Sequence, residues 1–195
     1  LFPYTTLFRS GYTEHCRLLL AAGAQANQAA KSGYTPLLVA LLHEHMDCAQ
    51  LLQEHGVDPL APSPKGLAAI HVAAAHRSPE LMRHLLALGA DPCSTSSARL
   101  GKVCPLTIAA ENGRADTVRL LLDHGAKVNQ TDEEGDTPLL CAILNGRAAC
   151  VQALLEAGAD VNAMSACGNT PLDIAKDKTH VGAGDADALV ELLLS

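Results

Sequence analysis

Two short motifs recur along the chain at intervals of about 33 residues, and this repetition constrains the fold more than any other feature of the sequence. The tripeptide Thr-Pro-Leu begins at Thr35, Thr137 and Thr170, and weaker copies begin at Ala68 and Cys104, so successive starts are 33, 36, 33 and 33 residues apart. A Gly-Ala or Gly-Val pair that follows a leucine run keeps the same phase through the longer interval. Two markers that stay in phase through one insertion predict a stack of similar units.

Each unit is predicted to form two short helices and an extended segment that ends in a polar turn. Threonine is a good helix N-cap because its hydroxyl accepts a hydrogen bond from an unpaired N–H, and proline fits the first helical position. In the unit that starts at Cys104, the second helix is expected over residues 115–124, with Val118, Leu121 and Leu122 on one face. Gly125 then suits a left-handed helix end. No unit can bury its apolar face alone, so only stacking completes a core.

The units resemble the ankyrin repeat family, most closely at residues 70–74 (Ile-His-Val-Ala-Ala) and 158–162 (Gly-Ala-Asp-Val-Asn). The resemblance covers residues 11–195 and implies an all-α solenoid of stacked helix-turn-helix units with β-turn fingers. The family histidine is present only at His71, and the unit at Ala68 lacks Thr-Pro, so we expect its helix start to be weaker by about 1 kcal/mol. The resemblance implies a half repeat at residues 11–27 and an irregular terminal repeat at residues 163–195. Between them it implies four full repeats, at residues 28–60, 61–93, 94–129 and 130–162, and the repeat at 94–129 carries the finger insertion.

The two ends depart from the repeat pattern. Residues 1–10 resemble the in-frame translation of a sequencing-library adapter, and we interpret them as non-native; the alternative is a genuine hydrophobic N-terminal arm. On the adapter interpretation, residues 11–27 supply a second helix with no first helix before it, and no targeting signal can be read. At the other end, an insertion near residues 181–185 precedes a final leucine run, which indicates either further protein beyond Ser195 or an irregular cap.

Composition excludes several classes of protein. Of the 195 residues, 48% are hydrophobic, but the longest apolar stretches, such as residues 37–42, are far too short to span a bilayer. The net charge of −7 argues against a nucleic-acid binder, which needs a basic face. The seven cysteines are odd in number and include no Cys-x-x-Cys pair, which favours structural thiols in a reducing compartment. We therefore expect a cytoplasmic protein, with the nucleus as the alternative.

No constellation of residues in the sequence predicts catalysis. His43, His45 and Cys48 lie close along the chain, but the two histidines do not share a helical face, so we predict no metal site. His71 is interpreted as a hydrogen-bonded core residue rather than a catalyst. We find no phosphate loop, nucleophile elbow or metalloprotease motif, and so predict no cofactor and no enzymatic activity.

The resemblance implies a concave binding face formed by the turn tips and the exposed ends of the first helices. The first three tips are basic and the fourth carries four acids, which suggests a bipolar groove that orients one extended or helical partner segment. The alternative is that these turns are charged only because they face water. The candidate partner-binding residues are Lys31, Tyr34, His43, Lys65, Leu67, His76, Arg99, Lys102, Glu111, Asn112, Glu133, Glu134, Asp136, Asn145 and Asn169.

Two further features have both a functional and a structural interpretation. The insertion within residues 93–101 lengthens one finger and adds serines, so it is either a partner-specific or phosphorylated loop or simply a tolerated insertion. Asn162 lies in a context that resembles the substrates of the asparaginyl hydroxylase that modifies ankyrin repeats, which makes it a candidate hydroxylation site. The alternative is that its side chain, like that of Asn129, bonds the adjoining turn.

These features together predict a non-catalytic protein–protein interaction module: a scaffold, an inhibitor or the substrate-receptor part of a larger protein. Its partner is a protein of unknown identity, with no nucleic acid and no membrane involved, and the chain itself is expected to be monomeric. The alternative is a regulatory ankyrin domain of an enzyme or channel whose catalytic or membrane part lies outside residues 1–195.

Overall fold

The computed structural model of the chain describes residues 5–30, 34–63, 66, 68–77, 79–96, 102–177 and 183–194, and these contain twelve helices. Short first helices alternate with longer second helices in every unit. In chain order the helices are α1 (Thr5–Arg9), α2 (Thr13–Ala21), α3 (Pro36–Leu42), α4 (Met46–Glu54), α5 (Ala69–Ala75), α6 (Glu80–Ala87), α7 (Pro105–Glu111), α8 (Ala115–Asp123), α9 (Pro138–Leu144), α10 (Ala148–Glu156), α11 (Pro171–Lys176) and α12 (Ala183–Leu194).

The first helices begin where the Thr-Pro motifs predict. The hydroxyl of Thr35 accepts a hydrogen bond from the backbone N–H of Leu38 at 3.2 Å, and Thr137 caps α9 in the same way. In the unit that begins at Cys104, the thiol takes the place of the hydroxyl. Ala68 has the same extended backbone as the threonine caps but no side-chain acceptor, so the uncapped start of α5 is confirmed.

The helices form two layers in which each unit packs against its neighbours. The first helices contact one another in order from α1 to α11, and second helices such as α8 and α10 pack alongside. Alanines including Ala73, Ala109 and Ala142 are fully buried, and their small side chains let the helices approach closely. The core is therefore a thin layer of Ala and Leu that runs the length of the stack, as the shortage of aromatic residues indicates.

The N-terminal segment differs from the sequence-based expectation. We expected no first helix before Gly11, but α1 occupies that place and packs against α3. The Phe8 side chain is 0% exposed and joins the hydrophobic core, and the backbone carbonyl of Arg9 accepts a hydrogen bond from His45. The first unit thus has two helices. That residues 1–10 derive from an adapter stays a prediction, because burial says nothing about the origin of the coding sequence.

The finger that carries the three-residue insertion contains the one β-pairing found in the described part of the chain. An isolated antiparallel bridge joins Ser96 to Val103, and the backbone N–H of Ser96 donates to the carbonyl of Val103 at 3.0 Å. Residues 97–101, between these two, lie outside the described residues. With helices elsewhere and turns between them, the all-α solenoid is confirmed.

A polar side chain at the start of several second helices connects neighbouring units. Arg114 donates a hydrogen bond from Nε to the carbonyl of Ala75 at 3.2 Å, and Arg147 donates to the carbonyl of Glu111 at 3.1 Å. His45 Nε2 lies 2.9 Å from the Arg9 carbonyl in the corresponding place. Each bond satisfies a carbonyl at the C-terminal end of the preceding first helix, where the helix itself supplies no donor.

Candidate functional site

A cavity of about 820 Å³ opens between the finger turns and the first helices. We call it the concave groove and define it by its floor, which comes from α3, α5, α7 and α9, and by its wall, which comes from the finger at residues 131–136, the acidic finger. Each of these four first helices contributes an apolar side chain to the floor. The principal floor residues are Leu42, Val72, Ile108 and Leu144.

Five carboxylate side chains line the concave groove, and no described Lys or Arg lines it. Glu111 comes from the last turn of α7, and Asp132, Glu133, Glu134 and Asp136 come from the acidic finger. Carboxylates at this density repel one another, so the groove favours a cationic occupant. The fourth finger is acidic as predicted; the basic character of the first three fingers stays a prediction, because only Lys102 of their charged tip residues is described.

The acidic finger is held in shape by its own carboxylates. Oδ1 of Asp132 accepts hydrogen bonds from the backbone N–H groups of Glu134 at 3.0 Å and Asp136 at 2.9 Å. Oε2 of Glu133 accepts a hydrogen bond from the backbone N–H of Lys102 at 3.2 Å, which connects this finger to the preceding one. These two acids therefore have structural roles.

Asp136 is different, because one of its carboxylate oxygens is buried without a partner. Oδ1 is out of contact with solvent and accepts no hydrogen bond from any described group. Burial raises the pKa of this carboxyl, and the carboxylates of Asp132 and Glu134 act in the same direction, against the backbone N–H of Ala166. An unsatisfied buried acceptor is rare in folded proteins and calls for a donor.

His71 also lines the concave groove, and its side chain is only 3% exposed. Backbone groups of Ser94 and Ala68 lie near the ring, yet neither ring nitrogen makes a hydrogen bond of normal geometry with a described residue. Burial is the main influence and lowers the pKa, so the ring is neutral near pH 7. The expectation of a buried histidine is confirmed, but the expectation that it is hydrogen-bonded is wrong for the described contacts.

The structure brings about half of the candidate partner-binding residues together. Tyr34 and Asn112 line the concave groove with the acids, and the amide of Asn112 donates to the carbonyl of Ile108 at 2.8 Å. Asn169 lines an adjoining cavity of about 250 Å³, shared with Glu134 and Asp136. The members of the candidate set that line the concave groove itself are Tyr34, Glu111, Asn112, Glu133, Glu134, Asp136 and Asn145.

The remaining candidates among the described residues lie outside the concave groove. His76 pairs with Glu44, with Nδ1 3.4 Å from Oε1, and His43 stacks against His45 with ring centroids 6.3 Å apart. Neither His43 nor His76 lines the concave groove. The described residues contain no group of three or more His, Cys, Asp or Glu that could hold a metal ion. Four candidates lie outside the described residues: Lys31, Lys65, Leu67 and Arg99.

The apolar floor was not predicted from the sequence. Its four residues belong to the first helices, and three of them lie one to three residues before a candidate that we chose for its polarity. Position within the repeat would have identified them, because Val72 and Ile108 share one slot of the repeat and Leu42 and Leu144 share another.

Asn162 and Asn129 occupy the same slot in successive units but make different contacts. Oδ1 of Asn129 accepts a hydrogen bond from the backbone N–H of Asp160 at 3.0 Å, which connects two units. At Asn162 the backbone N–H donates to Oδ1 of Asp160 at 2.9 Å, and the residue is exposed. Hydroxylation of Asn162 stays a prediction.

The cysteine that lines the concave groove is not an activated nucleophile. All seven cysteines are free thiols, and Cys16, Cys48, Cys104 and Cys150 are buried. Burial raises the pKa of Cys141, which lines the concave groove, to about 12, and the nearby Asp132 acts in the same direction. A thiol whose pKa is raised is a poor nucleophile at neutral pH. Among the described helices, none combines the length and the apolar character needed to cross a membrane.

Comparisons with known proteins agree with this architecture. A family model described as ankyrin repeats (3 copies) matches the chain three times, over residues 6–96, 70–165 and 106–194. The chain is also similar to a solved structure, an ankyrin repeat domain from Acinetobacter baumannii AYE, at 29% identity and a TM-score of 0.78, with 99% of this chain and 96% of that chain covered.

Two curated relatives are larger proteins. Glycerophosphocholine phosphodiesterase gde1 of Schizosaccharomyces pombe is 29% identical over 141 residues, which are 70% of this chain and 12% of that protein. Ankyrin repeat and SOCS box protein 11 of Danio rerio is 37% identical over 109 residues, 53% of this chain and 36% of that protein. The chain thus spans only a minor part of each relative.

Ankyrin repeats are protein–protein interaction modules, and the fold is typically non-catalytic, although one of these relatives is an enzyme by name. Since the family model matches the chain from residue 6 to residue 194 and a solved ankyrin domain has the same architecture, this chain belongs to the ankyrin repeat family.

Proposed function

We propose that the chain is a non-catalytic recognition module that binds a protein partner in the concave groove and against the finger tips, as a scaffold, an inhibitor or a substrate receptor. The observation that carries this proposal is the groove itself, an open cavity of about 820 Å³ with an apolar floor and a polar wall. Such a combination is typical of protein-binding sites, in which apolar contacts supply affinity and polar contacts supply specificity.

Polarity changes in the floor test this proposal without altering charge. The double variant Ile108→Gln/Leu144→Gln replaces two half-buried floor residues, and Met46→Gln/Leu88→Gln replaces two residues that are each 43% exposed and lie outside the groove. Tagged proteins are used to retain partners from cell lysate, and bound proteins are quantified by mass spectrometry. We expect at least one partner to be lost with the floor variant and kept with the control. Identical sets of bound proteins would refute binding through the groove, provided that circular dichroism shows both variants folded.

Orientation of the partner by a bipolar groove is part of the proposal. The acidic side is supported by the five carboxylates in the groove, and the basic side depends on the sequence of the first three tips. Reversing the charges of Glu133, Glu134 and Asp136 should weaken partner binding and reduce its dependence on salt. Unchanged binding would exclude the acidic finger from the interface.

A second candidate function is regulation of a catalytic part elsewhere in a longer protein. It is favoured by the relative that is a glycerophosphocholine phosphodiesterase by name, of which this chain matches 12%. The full-length transcript discriminates between the two, because a catalytic or membrane segment in the same reading frame would support this alternative.

A further inference from the structure

The charges that line the concave groove are unbalanced within the described residues. Five carboxylates face the cavity, and no described Lys or Arg lines it. The backbone N–H groups of the finger satisfy Asp132, and the N–H of Lys102 satisfies Glu133. The negative charge of the other acids is therefore available to a partner.

The Asp136 carboxylate lies where the concave groove meets the adjoining cavity. Its Oδ1 is buried and unpaired among the described groups, and the side chain lines both the concave groove and the adjoining cavity. Glu134 lies at the same junction. A guanidinium or ammonium group that enters from either cavity can pair with the exposed Glu134 carboxylate beside Asp136 and offset the like charges, and such charge-assisted bonds are the strong ones.

His71 is a second, independent group without a partner in the same groove. It is almost fully buried, and neither ring nitrogen bonds a described residue. A neutral imidazole offers one donor and one acceptor. A peptide unit also has one donor, its N–H, and one acceptor, its C=O. The backbone of an extended segment in the groove is therefore chemically complementary to the imidazole.

The apolar floor lines the same groove as these polar groups. Val72 and Ile108 belong to neighbouring first helices, and Leu144 belongs to the next helix along. A segment with only charged side chains would leave the apolar floor exposed to water, whereas an apolar residue beside each cation would bury the floor.

We propose that the occupant of the concave groove is an extended partner segment in which arginine or lysine residues alternate with apolar residues. Its cation pairs with the carboxylates of Glu134, Asp136 and Glu111, its apolar side chains pack on the floor, and its backbone lies over His71. This inference rests on the proposed function and specifies the chemistry of the partner.

Synthetic peptides of defined composition test this directly. The probe is a fluorescently labelled peptide of repeating Arg-Leu-Ala, compared with Glu-Leu-Ala, which reverses the charge, and with Arg-Ser-Gly, which removes the apolar side chains. Fluorescence anisotropy measures binding to the intact chain. We expect the Arg-Leu-Ala probe to bind at least about tenfold more tightly than either comparison peptide, and its affinity to fall as NaCl is added.

A matched pair of variants locates the site. Glu134→Gln/Asp136→Asn removes two charges in the groove, and Asp116→Asn/Asp123→Asn removes two exposed charges on α8, away from it. Both variants change the net charge equally, so nonspecific attraction is affected alike. We expect the groove variant to bind the probe about tenfold more weakly and the α8 variant to stay within about twofold of wild type. Equal losses in the two variants, or equal binding of Glu-Leu-Ala, would overturn the inference.

The experiments distinguish failure of the cationic-segment proposal from failure of the proposed function. If a partner is lost with Ile108→Gln/Leu144→Gln but Glu134→Gln/Asp136→Asn has no effect on the partner or on the probe, the groove binds proteins and the cationic segment is wrong. If neither variant affects a partner, both proposals fail.

Discussion

Gly113 has a left-handed backbone with φ of +72°, and a Cβ at this position would lie 2.9 Å from Cδ of Arg147 in the next unit. Gly113→Ala therefore perturbs two things at once. An L-residue in the left-handed region costs about 1–2 kcal/mol relative to glycine. The arginine must also move, and the hydrogen bond from its Nε to the Glu111 carbonyl is exposed, so its loss adds about 0.5–1 kcal/mol. The total is about 2 kcal/mol.

Gly125 provides the matched control. Its φ is +88°, but a Cβ there meets nothing within 4 Å. Gly125→Ala therefore carries only the backbone penalty of about 1–2 kcal/mol. Urea unfolding of both variants, followed by far-ultraviolet circular dichroism, compares their midpoints and slopes. We expect Gly113→Ala to have the lower midpoint.

A double-mutant cycle isolates the contact between units. In an Arg147→Ala background the clash is absent and the hydrogen bond is already lost, so Gly113→Ala should destabilise no more than Gly125→Ala does. The expected coupling is about 0.5–1 kcal/mol. Equal effects of Gly113→Ala in the two backgrounds, or equal losses at the two glycines in wild type, would refute the reasoning.

Three further predictions concern capping, pH and thiols. Ala68 has φ and ψ of −88° and 158°, close to the −83° and 160° of the threonine cap Thr137, so Ala68→Thr should stabilise the chain by about 1 kcal/mol, and an unchanged urea midpoint would contradict this. Burial lowers the folded pKa of His71, so protonation favours the unfolded chain, and stability should fall as pH drops below about 6.5; His71→Asn should show a smaller fall, and equal pH profiles would exclude His71 as the cause. Cys167 is exposed whereas Cys150 is buried with its pKa raised to about 11, so mass spectrometry should find maleimide on Cys167 first and on Cys150 only after unfolding, and the reverse order would argue against the packing of α10.

Local sequence signals predicted the helices well because each depends on neighbours along the chain. A threonine followed by proline defines a helix start through a bond to an N–H three residues away, which holds at Thr35 and Thr137. At Ala68 the absence of a hydroxyl predicts an uncapped helix start, and α5 has no side-chain cap. At Glu44 the signal failed: this residue has φ of +58° at a helix end where glycines such as Gly146 stand in other units, and nothing in its own sequence indicates a left-handed backbone.

The concave groove was predicted only in outline. The resemblance placed the acidic finger on the binding face, which stays a prediction, and Glu111, Glu134 and Asp136 line one cavity. That Asp136 keeps one oxygen unpaired while Asp132 uses its own to shape the turn depends on the folding of the finger against the next unit. Residue type and spacing cannot distinguish these two aspartates.

The sequence by itself determined the repeat length, the order of the helices, the all-α solenoid and the Ala and Leu character of the core, because periodic apolar residues can be buried only by stacking. The tertiary structure decided which side chains meet between units: Arg147 with the Glu111 carbonyl, Phe8 in the core of the first unit, and an apolar floor beneath an acidic wall. These contacts join residues about one repeat apart, and their distances depend on how closely neighbouring helices pack. A repeat pattern determines which units adjoin, but only the packed stack determines which atoms touch.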